Sequence, residues 1–210
     1  MKYDYLAIEG TIGAGKTSLS TMIAKDFDGK LILEQFEENS FLPKFYKDPG
    51  KFAFPLEMSF MASRFQQLKD ELSKQELFSS FTISDYFLNK SLIFARQTLK
   101  ADEYALFARF FGFINSGLKS PDVIFYLYQE VDSLLKNIKK RGRDYEQEIK
   151  YDYLNHIQQG YFEYFRQHPD LRVVILDTNN IDFVNNSKDY QKITLLLDEE
   201  FPRGISRISL

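Results

Sequence analysis

Gly10-Thr11-Ile12-Gly13-Ala14-Gly15-Lys16-Thr17 places two glycines and then a Lys-Thr pair at the spacing of a phosphate-binding loop. Glycine lets the backbone curl so tightly that successive N–H groups face anionic oxygens. Lys16 would then reach the β- and γ-phosphates of a nucleoside triphosphate, and the Thr17 hydroxyl would hold Mg²⁺. The helix that opens at Lys16 adds its positive dipole end, with Ser18 in its first turn, so the binding segment runs from Gly10 to Ser18. The bland alternative is a glycine-rich strand-to-helix turn. Against it stands the context: an apolar run over residues 3–9 leads in, and Leu19, Met22, Ile23 and Phe27 follow at helical spacing.

Four carboxylates, Glu9, Glu34, Asp85 and Asp177, stand at or just past the ends of apolar runs. Those runs predict five strands: residues 3–9, 30–34, 80–84, 123–127 and 172–177. Helical patterns separate them over residues 18–27, 39–47, 53–74, 86–99, 102–118, 131–140, 149–167 and 188–199, with Pro55 read as first-turn and Ala101-Asp102 as a cap. Short apolar strands alternating with helices imply a parallel sheet covered on both faces. Ligands of such sheets bind beyond the carboxyl ends of the strands, which gathers the carboxylates around the phosphate loop. A helix cap or solvated turn is the competing use of each, above all of Asp177.

The 210 residues predict one domain with a sizeable core. A net charge of −3 gives no global basic field for a nucleic-acid polymer, and no uninterrupted apolar stretch predicts a membrane span. The chain has no Cys, which excludes disulfides, thiol catalysis and thiolate metal sites, and fits a reducing, cytoplasmic setting. His156 and His168 are the only histidines, a poor basis for histidine catalysis.

Further motifs narrow the reading. They are Ile8-Glu9-Gly10, Glu34 with Glu37-Glu38-Asn39, Phe45-Tyr46-Lys47-Asp48-Pro49, Phe54-Pro55-Leu56-Glu57 with Arg64, Ser91-Leu92-Ile93-Phe94-Ala95, and Arg141-Gly142-Arg143-Asp144-Tyr145-Glu146-Gln147. Together they resemble the deoxynucleoside kinases that act on deoxyadenosine, deoxyguanosine and deoxycytidine. The resemblance implies a P-loop doubly wound sheet of five strands with a short arginine-bearing lid over residues 141–147. It implies that ATP is the donor, Mg²⁺ the metal and a small deoxynucleoside the acceptor. Glu34 then matches the general base for the 5′-hydroxyl, and Asp85 joins Thr17 at the metal. Tyr46 and Glu146 match the pair on the sugar 3′-hydroxyl. Arg141 and Arg143 match the lid arginines that neutralise charge on the transferred group. Glu57 and Arg64, seven residues apart on one helix face, match base contacts, and Phe94 a wall for the base. Simpler uses remain open: a solvated basic loop for the two arginines, a core position for Tyr46 or Phe94.

Three positions depart from the family. Glu57 stands where Gln is usual; an ionised Glu only accepts, which matches the N1–H and N2–H donors of guanine, whereas a protonated one reverses that preference. Tyr86 follows Asp85 where the family has Arg, with Lys90 one turn on as the nearest replacement. Asn137 replaces a further basic residue, with Lys136, Lys139 and Lys140 nearby. The polar stretch 178–188 either borders the donor's adenine or is plain surface. The family also implies a homodimer, through helices within 51–74 or 86–118. Two rivals are a thymidylate-type monophosphate kinase and a nucleotide-dependent switch. The first needs an Arg directly after Asp85, where this chain has Tyr86; the second needs a motif for placing water, and the sequence offers no candidate.

Overall fold

Strand β1 (Tyr5–Gly10) is buried along its whole length, as a strand covered on both faces must be. The computed structural model describes residues 2–36, 39–74 and 79–210; Glu37 and Glu38, quoted above for the resemblance, lie outside them. Around β1 run α1 (Lys16–Asp26), β2 (Lys30–Ile32), α2 (Leu42–Lys47), α3 (Pro49–Ser73), β3 (Thr82–Ser84), α4 (Lys90–Thr98) and α5 (Ala101–Asn115). Then follow β4 (Val123–Tyr128), α6 (Val131–Arg141), α7 (Tyr151–Gln167), β5 (Arg172–Asp177), α8 (Ser187–Leu195) and β6 (Gly204–Ser209). The sheet order is β2-β3-β1-β4-β5-β6 and every pairing is parallel. The chain steps out to β2, returns to β3 beside β1, then crosses to β4. The sheet is therefore doubly wound, with its switch point between β1 and β3.

The pleat sorts the core. Leu6, Ile8, Phe125, Leu127, Val174 and Leu176 face Leu19 and Ile23 of α1, Leu134 and Ile138 of α6, and Ile193 of α8. Their neighbours Ala7, Ile124, Tyr126, Val173 and Ile175 face Ile93 and Phe94 of α4 and Ile157, Tyr161 and Phe165 of α7. Helices α3 and α5 add a third cluster with Met61, Leu68, Phe107 and Phe111, and Ile32 and Tyr86 belong to it.

Several expectations need correction. The sheet has six strands, not five: β6 pairs with β5 from Arg172↔Gly204 to Asp177↔Ser209. Its Gly-Ile-Ser-Arg-Ile-Ser sequence alternates and is only half-buried, since an edge strand needs no continuous apolar run. Pro55 lies inside α3 rather than in its first turn, because Pro49 starts the helix and the Asp48 side chain caps it by accepting from Lys51 N–H. Strand β2 stops at Ile32, so Glu34 sits two residues beyond it. Residues 86–89 precede α4 as irregular chain, and α5 starts behind Lys100, whose N–H donates to Glu103 at 3.1 Å.

Candidate active site

The phosphate loop sits at the switch point. Gly13 has φ +89°, and a Cβ there would lie 2.8 Å from the Leu134 carbonyl oxygen, so only glycine lets the loop pass α6. Helix α1 has no side-chain cap and no acidic residue in its first turn, which leaves its leading N–H groups for a ligand. Lys16 Nζ lies 2.9 Å from Gly10 O and 3.1 Å from Thr11 O, drawn over the loop it would fill. Burial and the neighbouring Lys90 ammonium bring its pKa down to about 8. Beneath the loop Glu9 is fully buried, accepting from Tyr161 Oη at 2.8 Å, Phe87 N–H at 3.1 Å and Gly10 N–H at 3.2 Å. It ties the loop to the chain leaving β3, and burial pushes its carboxyl up.

Asp85, at the end of β3, accepts from Thr17 Oγ1 at 2.5 Å and from Glu34 N–H at 2.7 Å. A hydroxyl and one carboxylate side by side make a hard-oxygen pair, suited to Mg²⁺ that keeps waters and phosphate oxygens as its other ligands. No group of three or more His, Cys, Asp or Glu able to hold a metal occurs among the described residues.

Glu34 is held by two cations. Arg64 donates from Nε at 2.7 Å and Nη2 at 2.6 Å, and Lys90 Nζ lies 2.6 Å from its other oxygen. Burial opposes its charge, but Lys90 and Arg64 outweigh that and hold the carboxyl well below the usual range. Arg64 also donates to Ser91 Oγ at 2.8 Å and lies over the Phe60 ring. Tyr86 turns away into the α3–α5 cluster, where its hydroxyl donates to Gln67 at 2.7 Å; Gln67 in turn donates to Leu33 O at 2.8 Å. It thus fixes the backbone just before Glu34, while Lys90 places a cation beside that carboxylate.

Beyond Glu34 a cleft of about 750 Å³ of space free of protein atoms is lined by Tyr46, Glu57, Phe60, Phe94, Glu146 and Tyr153 among others. Its mixed apolar and polar lining suits a small organic ligand. The structure brings Lys16, Thr17, Glu34, Tyr46, Glu57, Arg64, Asp85, Phe94, Arg141, Arg143 and Glu146 to this one cleft. Tyr46 stacks near Tyr145, with centroids 6.3 Å apart, and meets Tyr153 edge-on at 6.5 Å. Glu57 is 2 % exposed and accepts from Thr98 Oγ1 at 2.9 Å. Burial pushes its carboxyl up to about 7, against the pull of Arg64 and the Thr98 hydrogen bond.

Helix α6 ends at Arg141 on Gly142, whose φ of +74° reverses the chain and turns Arg143 back over the Phe36 ring at 4.3 Å. Arg141 Nε donates to Glu146 at 3.1 Å, its Nη2 bonds the same oxygen, and Arg143 Nη1 lies 3.4 Å from the other. The lid is folded onto the cleft.

A second cleft lies outside the loop, between α6 and the chain after β5. It is lined by Gly13, Gly15, Lys136, Asn137, Lys140 and residues 178, 179 and 181–185. Asn137 donates to Gly13 O at 3.0 Å and Gln129 Oε1 at 2.9 Å, a tether in place of the family's cation. Asp177 accepts from the Asn179 backbone and side chain and shapes this loop, the turn use left open above.

Comparison with known proteins decides the family. The deoxynucleoside kinase family model matches residues 6–201. A deoxyguanosine kinase of Bacillus subtilis is 34% identical over 199 residues, covering 93% of this chain and 96% of its own. A deoxyadenosine kinase of Dictyostelium discoideum is 28% identical, covering 90% of this chain and 77% of its own. A solved deoxyadenosine kinase from M. mycoides with bound dATP superposes with TM-score 0.80 at 26% identity, covering 93% of this chain and 99% of its own. The chain belongs to the deoxynucleoside kinase family. It is an enzyme, a kinase for nucleosides.

Sequence reasoning missed some lining residues of this kinase. Phe36, Phe45 and Tyr153 line the cleft, and Ser91 and Thr98 hydrogen-bond Arg64 and Glu57, yet the sequence assigned none of the five its own role at the site. One signal was there: Lys90, Ser91 and Thr98 share a helix face with Phe94, polar residues among apolar ones.

Proposed function

We propose that the chain acts as one kinase domain that transfers the γ-phosphoryl group of ATP, with Mg²⁺, to the 5′-hydroxyl of a purine deoxynucleoside, deoxyguanosine or deoxyadenosine. The observation that carries this is Glu34, an ionised carboxylate clamped by Arg64 and Lys90 where the phosphate loop meets the lined cleft. Glu34 accepts the hydrogen bond of the 5′-hydroxyl and orients its oxygen at the γ-phosphorus. The new P–O bond forms as the bond to the β–γ bridging oxygen breaks, and Glu34 takes the proton late, as a loose transition state allows. Lys16, Lys90, Arg141 and Arg143 neutralise charge on the transferred oxygens. Mg²⁺ at Thr17 and Asp85 would supply further neutralisation of the donor phosphates. Tyr46 and Glu146 hold the 3′-hydroxyl, and the Tyr46 ring crowds a 2′-hydroxyl. Glu57, Arg64 and Phe94 line the base pocket, and the second cleft receives the donor's base.

The purine preference draws support from relatives named for deoxyguanosine and deoxyadenosine and from Glu57. A monophosphate acceptor fits poorly, because Tyr86 buries its ring in the α3–α5 cluster and Glu34 would repel a phosphate. No helix among the described residues is long and apolar enough to cross a membrane. We place the enzyme in the cytoplasm as a homodimer, joined through the outer face of α5, where Leu106, Phe110 and Phe113 are exposed at helical spacing. Among the described residues α3 exposes no large hydrophobic side chain, so α5 is the better of the two expected dimer helices.

The test is a panel of deoxynucleosides, ribonucleosides and thymidine monophosphate incubated with ATP–Mg²⁺, with products separated by chromatography. Purine deoxynucleosides are expected to be phosphorylated fastest. Turnover of thymidine monophosphate alone overturns the reading.

A further inference from the structure

We propose that the protonation state of Glu57 decides which base the enzyme accepts: the carboxylate selects guanine, and the neutral acid admits adenine and cytosine as well. This rests on the kinase reading above. Glu57 projects from α3 into the cleft wall, and only its Oε1 carries a hydrogen bond among the described residues. The partner is unusual. Thr98 Oγ1 lies 2.9 Å from Glu57 Oε1 and 3.0 Å from Phe94 O, and its one hydrogen can serve only one of them at a time. With Glu57 ionised, Thr98 donates to the carboxylate. With Glu57 neutral, Thr98 donates to Phe94 O and needs nothing from Glu57. The Thr98 hydroxyl thus has an acceptor in both protonation states without any backbone movement.

The surrounding charges leave the choice open. Arg64 on α3 and Lys90 on α4 are both bonded to Glu34, so neither is free to fix Glu57 as an anion. Tyr46 on α2 and Tyr153 on α7 face it as neutral phenols, their pKa values raised by burial. Glu146, Arg141 and Arg143 close the lid side among themselves. Burial, only partly offset by Arg64 and the Thr98 hydrogen bond, sets the midpoint near 7, inside the physiological range.

Hydrogen-bond types do the reading. A carboxylate offers two acceptors, matching the adjacent N1–H and N2–H of guanine. Against adenine or cytosine one acceptor meets an amino group while the other meets a ring-nitrogen lone pair. A neutral acid offers one donor and one acceptor, as Gln would, which suits N6–H and N1 of adenine and also N1–H and O6 of guanine. Deoxyguanosine is therefore accepted in both states, and deoxyadenosine only by the acid.

The experiment is competition between deoxyguanosine and deoxyadenosine in one reaction, from about pH 6 to about pH 8.5, below the guanine N1 titration. Both acceptors meet the same donor, Lys16 and Glu34, so other titrations cancel in the kcat/KM ratio. The deoxyguanosine-to-deoxyadenosine ratio is expected to climb through neutrality, toward about tenfold per pH unit at the one-proton limit. It is expected to be flat in Glu57→Gln, and its midpoint to move to higher pH in Thr98→Val, which removes only the hydroxyl. A ratio independent of pH in the wild-type protein overturns the proposal, as does an unmoved midpoint in Thr98→Val. If Glu57→Gln does not fold, the wild-type and Thr98→Val curves decide. Phosphorylation of neither deoxynucleoside overturns the kinase reading itself, a result distinct from a flat ratio.

Discussion

Glu34 holds an unusual position for a group that must accept a proton: two cations within 2.6 Å make it a weak base. In a loose transition state that is tolerable, since the carboxylate chiefly aims the attacking oxygen. Glu34→Gln is expected to cut kcat by about 10²–10⁴-fold, with ATP affinity by calorimetry nearly unchanged. Wild-type turnover would remove Glu34 from the mechanism. Lys90 belongs to the same unit, and Lys90→Arg is expected to keep far more activity than Lys90→Met, in steady-state assays, because charge at that place is what matters. Equal losses in the two variants would show that length and shape, not charge, govern it. Glu34 and Asp85 could be read from the chain because a carboxylate after an apolar run ends a parallel strand. The exact partners could not: Arg64 and Lys90 are 30 and 56 residues from Glu34 and meet it only through folding.

At the scale of elements, the lid depends on how α6 ends. Gly142 takes a left-handed turn there, with open space around it, so a side chain would be strained without any clash. Gly142→Ala is expected to lower Tm by about 2–4 °C, the shift of ~1 kcal/mol in a chain of this size, and to reduce kcat more than it changes KM. A thermal melt and a Michaelis curve check both; unaltered kcat would mean that the lid tolerates a reoriented Arg143. The lid was legible as a charged motif with a glycine between arginines. That Arg141 and Arg143 both close on Glu146 was not, because a loop's direction depends on the cleft it covers. Tyr86 makes the same point in reverse. Its position next to Asp85 drew attention as a missing cation, whereas in the fold it is an anchor for Gln67 and the Glu34 backbone.

For the whole molecule, the apolar outer face of α5 is the feature that a monomer leaves unexplained. Phe113 is 76% exposed, so Phe113→Asp costs the isolated fold little. It is expected to halve the solution mass measured by light scattering; an unchanged mass would exclude this face as the dimer contact. The core sheet was readable in advance, because strands buried on both faces must be nearly continuous in apolar residues, and the phosphate loop carries its chemistry in local backbone form. The sixth strand was not, since β6 needs only β5 beside it and its alternating, polar sequence resembles surface chain. Composition and local pattern thus determined the order of the first five strands and the helices between them, the loop and the identity of the strand-end carboxylates. Tertiary structure alone decided which cations hold Glu34, which hydroxyl meets Glu57 and how buried that carboxyl is. Those properties depend on distance and dielectric between residues remote in sequence, and no local pattern encodes either.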